Sequence, residues 1–174
     1  AGRVFLVDAM SSFGGVDIPV ADWGIDFLVS SANKCIQGVP GFSFILCRRD
    51  QLLASEGKAR TLSLDLLDQW KTMEKDGKWR FTSPTHVVLA FSRALDELLA
   101  EGGIAARHRR YVENNRLLVE KMRALGFSTY IDGAHQGPII TTFFYPAGAS
   151  FTFADFYQYI KERGYAIYPG KLTE

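Results

Sequence analysis

The fold of this chain is decided by the stretch FLVSSANK at residues 27–34, in which a short apolar run passes directly into small polar residues and ends in Lys34. A second apolar run, VFLV at residues 4–7, lies upstream and ends in Asp8. Short continuous apolar runs are typical of strands that are buried on both faces of a parallel sheet. We therefore predict that both runs form strands of an α/β sheet.

Asp8 and Lys34 would follow these strands at their carboxyl ends, where open parallel sheets bind ligands. Taken singly, Asp8 suits a turn at the end of a strand and Lys34 suits a solvated surface. Together they suit pyridoxal phosphate (PLP), because a carboxylate can hold the pyridinium nitrogen protonated and an amine can carry the Schiff base. The polar residues before Lys34 and the stretch GVPG at residues 38–41 favour this second interpretation.

The composition predicts an ordinary soluble protein, with 47% hydrophobic and 22% charged residues among 174. The net charge of +1 gives no indication of a nucleic-acid partner. No apolar stretch approaches the roughly 18 residues of a membrane span. Cys35 and Cys47 suggest neither a disulfide framework nor a metal site, so a reduced, cytoplasmic protein is expected.

The ends of the sequence differ from ordinary polar termini. The chain passes from AGR directly into the first predicted strand, and it stops shortly after another strand-like run at Tyr165–Tyr168. Natural termini are commonly polar and poorly ordered. This pattern predicts an internal piece of a longer polypeptide.

Further elements are predicted before residue 84. They are a helical turn at Pro19–Trp23, a third strand at Phe42–Cys47 and a short helix at Asp50–Glu56. Residues 61–80 leave two interpretations open, because leucines alternate at 62, 64 and 66 as in a strand, while residues 66–73 suit a helix.

A clearer helix is predicted to begin at Pro84, the first helical position, with Ser83 as its N-cap. Glycines at 102 and 103 would end it. The apolar residues that fall on one face of this helix are Val88, Phe91, Leu95 and Leu98.

The remaining sequence predicts a mixture of helices and strands. The elements are a helix at Ile104–Leu125, a strand at Pro138–Tyr145, a helix at Thr152–Arg163 and a strand at Tyr165–Tyr168. The long helix would carry an apolar stripe made of Ile104, Tyr111, Leu118, Met122 and Leu125. This mixture is typical of a small α+β domain.

Other possible sites are less convincing. The glycines near Lys34 match neither a Walker A loop nor a dinucleotide fingerprint. Cys35 has no histidine nearby in the sequence and is expected to be a buried packing residue. The basic run at residues 107–110 is expected to be a solvated helix face, and the three histidines show no metal-ligand spacing, so no metal site is predicted.

Three stretches resemble one family closely: VDAMSSFGG at residues 7–15, SSANKCIQGVPG at 30–41 and KWRFTSPTH at 78–86. The family is that of the 2-aminoethylphosphonate–pyruvate transaminases, fold-type I PLP-dependent enzymes in the class V branch with the alanine–glyoxylate and serine–pyruvate aminotransferases. The ending IYPGK at residues 167–171 is similar too. The resemblance runs over nearly the whole chain.

This resemblance implies an α/β fold in which residues 1–103 form the C-terminal part of a mostly parallel-sheet large domain that binds PLP. Residues 104–174 would form most of a small α+β domain. The implied reaction moves an amino group from 2-aminoethylphosphonate to pyruvate and gives phosphonoacetaldehyde and L-alanine. Lys34 would form the Schiff base and move the proton between the substrate Cα and the cofactor C4′, while Asp8 would keep the ring nitrogen protonated.

The resemblance also implies residues that bind the cofactor without taking part in proton transfer. Met10 would pack against the ring from the same face as Asp8. Ser31 or Asn33, near the lysine, would help to hold the cofactor. Thr82 matches a threonine that reaches the cofactor phosphate of a neighbouring subunit, so a homodimer with a shared active site is implied.

Several parts of the family's active site have no counterpart in these residues. They are the phosphate-binding cup of glycine and serine residues, the aromatic residue that stacks on the ring, and an arginine that grips the acidic group of the substrate. This stretch alone is therefore expected to bind PLP weakly and to turn over poorly. A related aminotransferase acting on another amino acid, or a fragment that kept the fold without the site, are the alternatives.

Overall fold

A computed structural model describes residues 2–146 and 150–170 of the chain. The chain divides into two compact units, Ala1–His108 and Arg109–Glu174. Their interpretation as parts of a large and a small domain, with a boundary after residue 103, stays a prediction. Among the described residues, no helix combines the length and the apolar character needed to span a bilayer.

The first unit contains a sheet of three strands, β1 (Leu6–Asp8), β2 (Phe27–Ser31) and β3 (Ser43–Cys47), in the order β1-β2-β3. β1 and β2 are parallel, as predicted, with Asp8 opposite Val29. β3 runs antiparallel to β2, with Ser43 opposite Ser31. The described part of the sheet is therefore mixed, with one parallel and one antiparallel pairing.

Four helices follow: α1 (Arg49–Leu53), α2 (Leu66–Asp76), α3 (Thr85–Glu101) and α4 (Gly103–Ala124), the last of which continues into the second unit. The helical interpretation of residues 66–73 is confirmed, and Leu62–Leu64 form a 3-10 turn instead of a strand. Asp65 caps α2 by accepting a 3.0 Å hydrogen bond from the Asp68 backbone N–H.

The predicted start of α3 is wrong by one residue. The helix begins at Thr85 with Pro84 at the N-cap position, and no side chain caps it. The hydroxyl of Ser83 lies 3.0 Å from that of Thr85, so Ser83 pairs with a neighbouring side chain instead of a helix N–H. The helix ends as predicted, at Gly102, which adopts the left-handed conformation with φ of 104°.

Two buried clusters lie in the first unit. One consists of Ala9, Ile25 and Leu28, and the other joins Ile36 to Ala94 and Leu98 of α3. The second cluster confirms the predicted apolar face of α3 for Leu98, Phe91 and Leu95, but it does not include Val88. The loop after Lys34 therefore rests on α3 through Ile36.

The second unit contains a two-stranded antiparallel pair, β4 (Ser128–Thr129) with β5 (Phe143–Phe144), and the helix α5 (Phe153–Glu162). The hydroxyl of Thr152 caps α5 by accepting a 3.2 Å hydrogen bond from the Asp155 backbone N–H. β5 is much shorter than the strand predicted at Pro138–Tyr145.

Two other predictions for the second part of the chain are wrong. Tyr165–Tyr168 form no strand, and the described residues supply no partner strand for them. The backbone N–H of Tyr165 instead bonds the Ile160 carbonyl at the end of α5. Leu118 and Leu125, predicted on the apolar stripe of α4, are exposed.

Candidate active site

The parallel pairing of β1 and β2 brings the residues after both strands to one edge of the sheet. The backbone N–H of Ala9 donates a 2.8 Å hydrogen bond to the Val29 carbonyl, which continues the ladder beyond Asp8. The hydroxyl of Ser30 donates to the Ala9 carbonyl at 3.1 Å. Asp8 and the loop that bears Lys34 therefore emerge at the same edge, as the sequence predicts.

Asp8 is held in a defined orientation although its side chain is exposed. Its Oδ1 accepts a 2.9 Å hydrogen bond from the backbone N–H of Met10, in the manner of an Asx turn. Met10 lies in this turn, beyond the end of β1. The alternation of side chains along a strand therefore does not place it on the same face as Asp8, which differs from the expectation. The turn leaves Oδ2 without a hydrogen bond among the described residues.

Lys34 lies in a compact loop that follows β2. The backbone N–H of Gln37 donates to the Lys34 carbonyl at 2.8 Å, and that of Gly38 donates to the Ala32 carbonyl at 2.9 Å. A Cβ atom on Gly38 would lie 2.6 Å from that same Ala32 oxygen, so the loop closes too tightly for a side chain there. Lys34 itself is exposed, and its amine has no ion-pair partner among the described residues.

The end of β2 carries a buried polar atom without a partner. Ser31 is 5% exposed, and its Oγ makes no hydrogen bond in the part of the chain that the structure describes. Asn33, two residues later, is half-buried. Buried hydroxyl groups are nearly always paired, so an unpaired one beside the loop of Lys34 is suited to receive a polar group from a ligand.

Thr82 is exposed in the segment between α2 and α3, and no contact among the described residues connects it with Lys34. Its expected role at the phosphate of a neighbouring subunit stays a prediction. The roles predicted for Lys34, Asp8, Met10, Ser31 and Asn33 stay predictions in the same sense, although their strand-end positions suit them.

The burial of Arg107 differs from the prediction for its sequence. The basic run at residues 107–110 was expected to be a solvated helix face, yet Arg107 is only 2% exposed. Its Nη1 donates to the carbonyls of Cys35 and Ile36, at 2.8 and 3.2 Å. The signal that could have revealed this is its spacing of three residues from Ile104, which packs on the same cluster as Ile36.

Two further contacts attach the loops of the site to their surroundings. His108 donates from Nδ1 to the Gly15 carbonyl at 2.8 Å, in the segment that follows Asp8. Cys35 donates from its thiol to the Ser11 carbonyl at 3.1 Å and is 3% exposed, which confirms the expected buried cysteine. Sequence spacing gave no sign of these contacts, because their partners are far apart along the chain.

Comparison with known proteins agrees with this geometry. Residues 1–173 match the family Aminotransferase class-V. The chain is 62% identical to the 2-aminoethylphosphonate–pyruvate transaminase of Bacteroides fragilis, over 99% of this chain and 48% of that protein. It is 59% identical to the enzyme of the same name from Bacillus mycoides, over 99% of this chain and 47% of that protein. The chain thus spans about half the length of these curated relatives.

A solved structure has a similar fold. The PLP-bound phosphoserine aminotransferase of Trichomonas vaginalis aligns with a TM-score of 0.79, covering 96% of this chain and 46% of that one. The sequence identity is 19%, so the likeness concerns the fold alone. With a family match over nearly its whole length and a shared fold, this chain belongs to the class-V aminotransferases.

Proposed function

We propose that this chain carries the cofactor-anchoring part of a PLP-dependent aminotransferase that moves the amino group of 2-aminoethylphosphonate to pyruvate. The products are phosphonoacetaldehyde and L-alanine. The observation that carries this proposal is the parallel β1–β2 pairing, which brings Asp8 and the Lys34 loop to one edge of the sheet. The choice of substrates rests on the relatives at 59 and 62% identity.

The residues at this edge fit PLP in three respects. Lys34 offers an exposed amine, and Asp8 offers a carboxylate whose orientation is set by the Met10 backbone N–H. The buried hydroxyl of Ser31 has no partner among the described residues and can bond a polar group of the cofactor. Asn33 and Met10 are half-buried beside these groups, where they can contact the cofactor as well.

Bound PLP supplies an electron sink for the substrate carbon and carries the amino group between donor and acceptor. Lys34 would hold the cofactor through its exposed amine, and the same amine would take the proton from the substrate carbon that bears the amino group. Asp8 would hold the ring nitrogen of the cofactor in its protonated form, because an anion favours the charged form of a neighbouring base.

We extend the proposal to the assembly and its compartment. Thr82 is exposed on a segment between two helices, where it can reach the cofactor phosphate of a second subunit in a homodimer. Cys35 and Cys47 are both thiols in the described structure, as a reducing cytoplasm favours.

The test uses the native polypeptide that carries this sequence, loaded with PLP and reduced with borohydride. We expect one cofactor per chain, attached to Lys34 by peptide mapping, and loss of the visible absorbance in Lys34→Ala. Lys58→Ala, at an exposed loop lysine, is the matched control and should keep both. An unchanged spectrum in Lys34→Ala would refute the assignment.

The substrates are tested by turnover with paired donors and acceptors. We expect 2-aminoethylphosphonate with pyruvate to exceed serine or alanine with glyoxylate by a large factor in kcat/KM. A preference for serine or alanine would identify one of the sister aminotransferases instead. Covalent cofactor without turnover of any pair would identify a chain that kept the fold and the lysine but not the activity.

A further inference from the structure

We propose that Arg107 is a positioning residue for Lys34: its buried guanidinium, presented by α4, fixes the loop on which the lysine amine is carried. This inference rests on the proposed function, since it assigns Arg107 a part in the same site. Nothing in the sequence motifs around Lys34 indicates it, because Arg107 lies in a distant helix.

One side chain bonds the carbonyls of the two residues that directly follow Lys34. Nη1 of Arg107 donates to the Cys35 carbonyl at 2.8 Å and to the Ile36 carbonyl at 3.2 Å. On its other side, Nε and Nη2 both donate to Oε2 of Glu101 at 2.8 Å. The planar guanidinium is thus held between the last turn of α3 and the Lys34 loop, in a fork that a single amine cannot reproduce.

Because Arg107 is buried, the loss of these hydrogen bonds would be costly. Arg107 is 2% exposed, and a desolvated guanidinium is stable only when its donors are satisfied. Two of its acceptors belong to the Lys34 loop, so a shift of that loop would leave donors and carbonyls unpaired in a region that water does not reach. The loop and the arginine therefore hold each other in place.

The loop's own backbone bonds do not provide this attachment. The bonds from Gln37 to Lys34 and from Gly38 to Ala32 close within the loop, and so they set its shape but not its location. Arg107 connects the loop to a different helix, and it does so at the residues adjacent to Lys34. Because a displacement of about 1 Å can cost about 100-fold in rate, such an anchor bears directly on reactivity.

The test compares Arg107→Met and Arg107→Lys with Arg116→Met in the native polypeptide. Arg116 lies on the same helix and forms ion pairs with Glu113 and Glu120, but it is exposed. The first readout is the rate at which PLP and cyanoborohydride label Lys34, per folded molecule, followed by peptide mass. The second is the division of the effect between kcat and KM for the amino donor.

We expect Arg107→Met to slow labelling of Lys34 and to lower kcat by roughly tenfold to 100-fold, with the donor KM within a few-fold of the parent. Arg107→Lys keeps the buried charge but can make only some of the hydrogen bonds of the guanidinium. Its labelling rate and kcat should therefore lie between those of Arg107→Met and the parent. Arg116→Met should match the parent in both readouts.

Arg107→Lys decides the question if Arg107→Met does not fold, because it retains the charge beside Glu101. Labelling and kcat equal to the parent in a folded Arg107 variant, with only a lower Tm, would overturn the inference and leave a purely structural role. An equal loss in Arg116→Met would overturn it too. If the parent itself is not labelled at Lys34, the proposed function fails and the inference with it.

Discussion

The thiol of Cys35 donates a 3.1 Å hydrogen bond to the backbone carbonyl of Ser11, and this bond joins the loop after β2 to the turn after β1. Lys34 directly precedes Cys35, and Asp8 lies three residues before Ser11. The two halves of the proposed catalytic pair are thus connected by a contact that involves neither of them. The carbonyl of Cys35 also accepts from Arg107, so one residue links three segments of the first unit.

Replacement of Cys35 by alanine is expected to lower the free energy of unfolding by about 1–2 kcal/mol, because it removes a buried sulfur and leaves the Ser11 carbonyl without this donor. Denaturant titration measures the difference. Cys47→Ala, at a half-buried thiol on β3, is the control and should cost less. Equal losses in the two variants would show that the contact between the loops contributes nothing of its own.

Two neighbouring serines in β2 make a matched pair of mutations. Ser30→Ala removes a buried hydrogen bond to the Ala9 carbonyl and should lower the stability of the cofactor-free protein by about 1 kcal/mol. Ser31→Ala removes a buried hydroxyl that has no partner in the described structure, so it should leave that stability nearly unchanged or raise it.

The variant with the larger effect should be the other one when PLP affinity, instead of stability, is measured by fluorescence titration. Ser31→Ala should weaken cofactor binding more than Ser30→Ala, because only the Ser31 hydroxyl is available to a ligand. If Ser31→Ala destabilises the cofactor-free protein as much as Ser30→Ala does, the hydroxyl already has a partner. In that case it would not be a cofactor-binding group.

Asp8→Asn preserves the shape of the site while removing its charge, since the asparagine Oδ1 can still accept from the Met10 backbone N–H. We expect kcat to fall by about 100-fold or more, a loss typical of removing one electrostatic contact to the reacting group. Cofactor should still be trapped on Lys34 by borohydride. Asp17→Asn, at an exposed residue after β1, is the control. A kcat of Asp8→Asn within a few-fold of the parent would exclude Asp8 as the ring partner.

The strands of the first unit could be predicted because short apolar runs bounded by polar and turn residues are typical of strands. The direction of β3 could not, since a short apolar run carries no information about its orientation. A short run also carries no information about its partner. The aromatic, strand-like run Tyr165–Tyr168 forms no strand because it has no partner strand among the described residues.

The candidate site could likewise be predicted only in part. Asp8 and Lys34 could be predicted because an acid and a lysine are unusual at the ends of short apolar runs, although β1 itself is largely exposed. Arg107 could not, since a run of basic residues in a helix is usually solvated, and its burial depends on carbonyls at residues 35 and 36. The acceptors that satisfy it are backbone groups, which leave no trace in residue types.

The pH dependence of Cys47 alkylation tests whether this thiol is buried. It lines a cavity of about 460 Å³ with Ile25 and Arg48, near the amino-terminal end of β2. Burial raises the pKa of the Cys47 thiol, and the thiolate is the species that reacts. Alkylation of Cys47 in the Cys35→Ala background should therefore reach half-maximal rate at a higher pH than in the unfolded protein.

The raised pKa of Cys47 also makes the stability of the fold depend on pH. As pH rises, the unfolded chain loses the Cys47 proton before the folded chain does, so this thiol lowers the free energy of unfolding only at alkaline pH. Identical pH profiles for folded and unfolded protein would contradict the burial of this thiol.

Gly38→Ala tests whether the compact shape of the Lys34 loop is required. The new Cβ would lie 2.6 Å from the Ala32 carbonyl oxygen, a backbone atom that cannot move without opening the loop. We expect a loss of about 1–3 kcal/mol in the free energy of unfolding, together with slower labelling of Lys34 by PLP. Gly133→Ala is the matched control, because its Cβ would meet no atom within 4 Å. Equal stability in the two variants would mean that the loop relaxes at no cost, and the 2.9 Å bond between Gly38 and Ala32 would then not be needed to present the lysine.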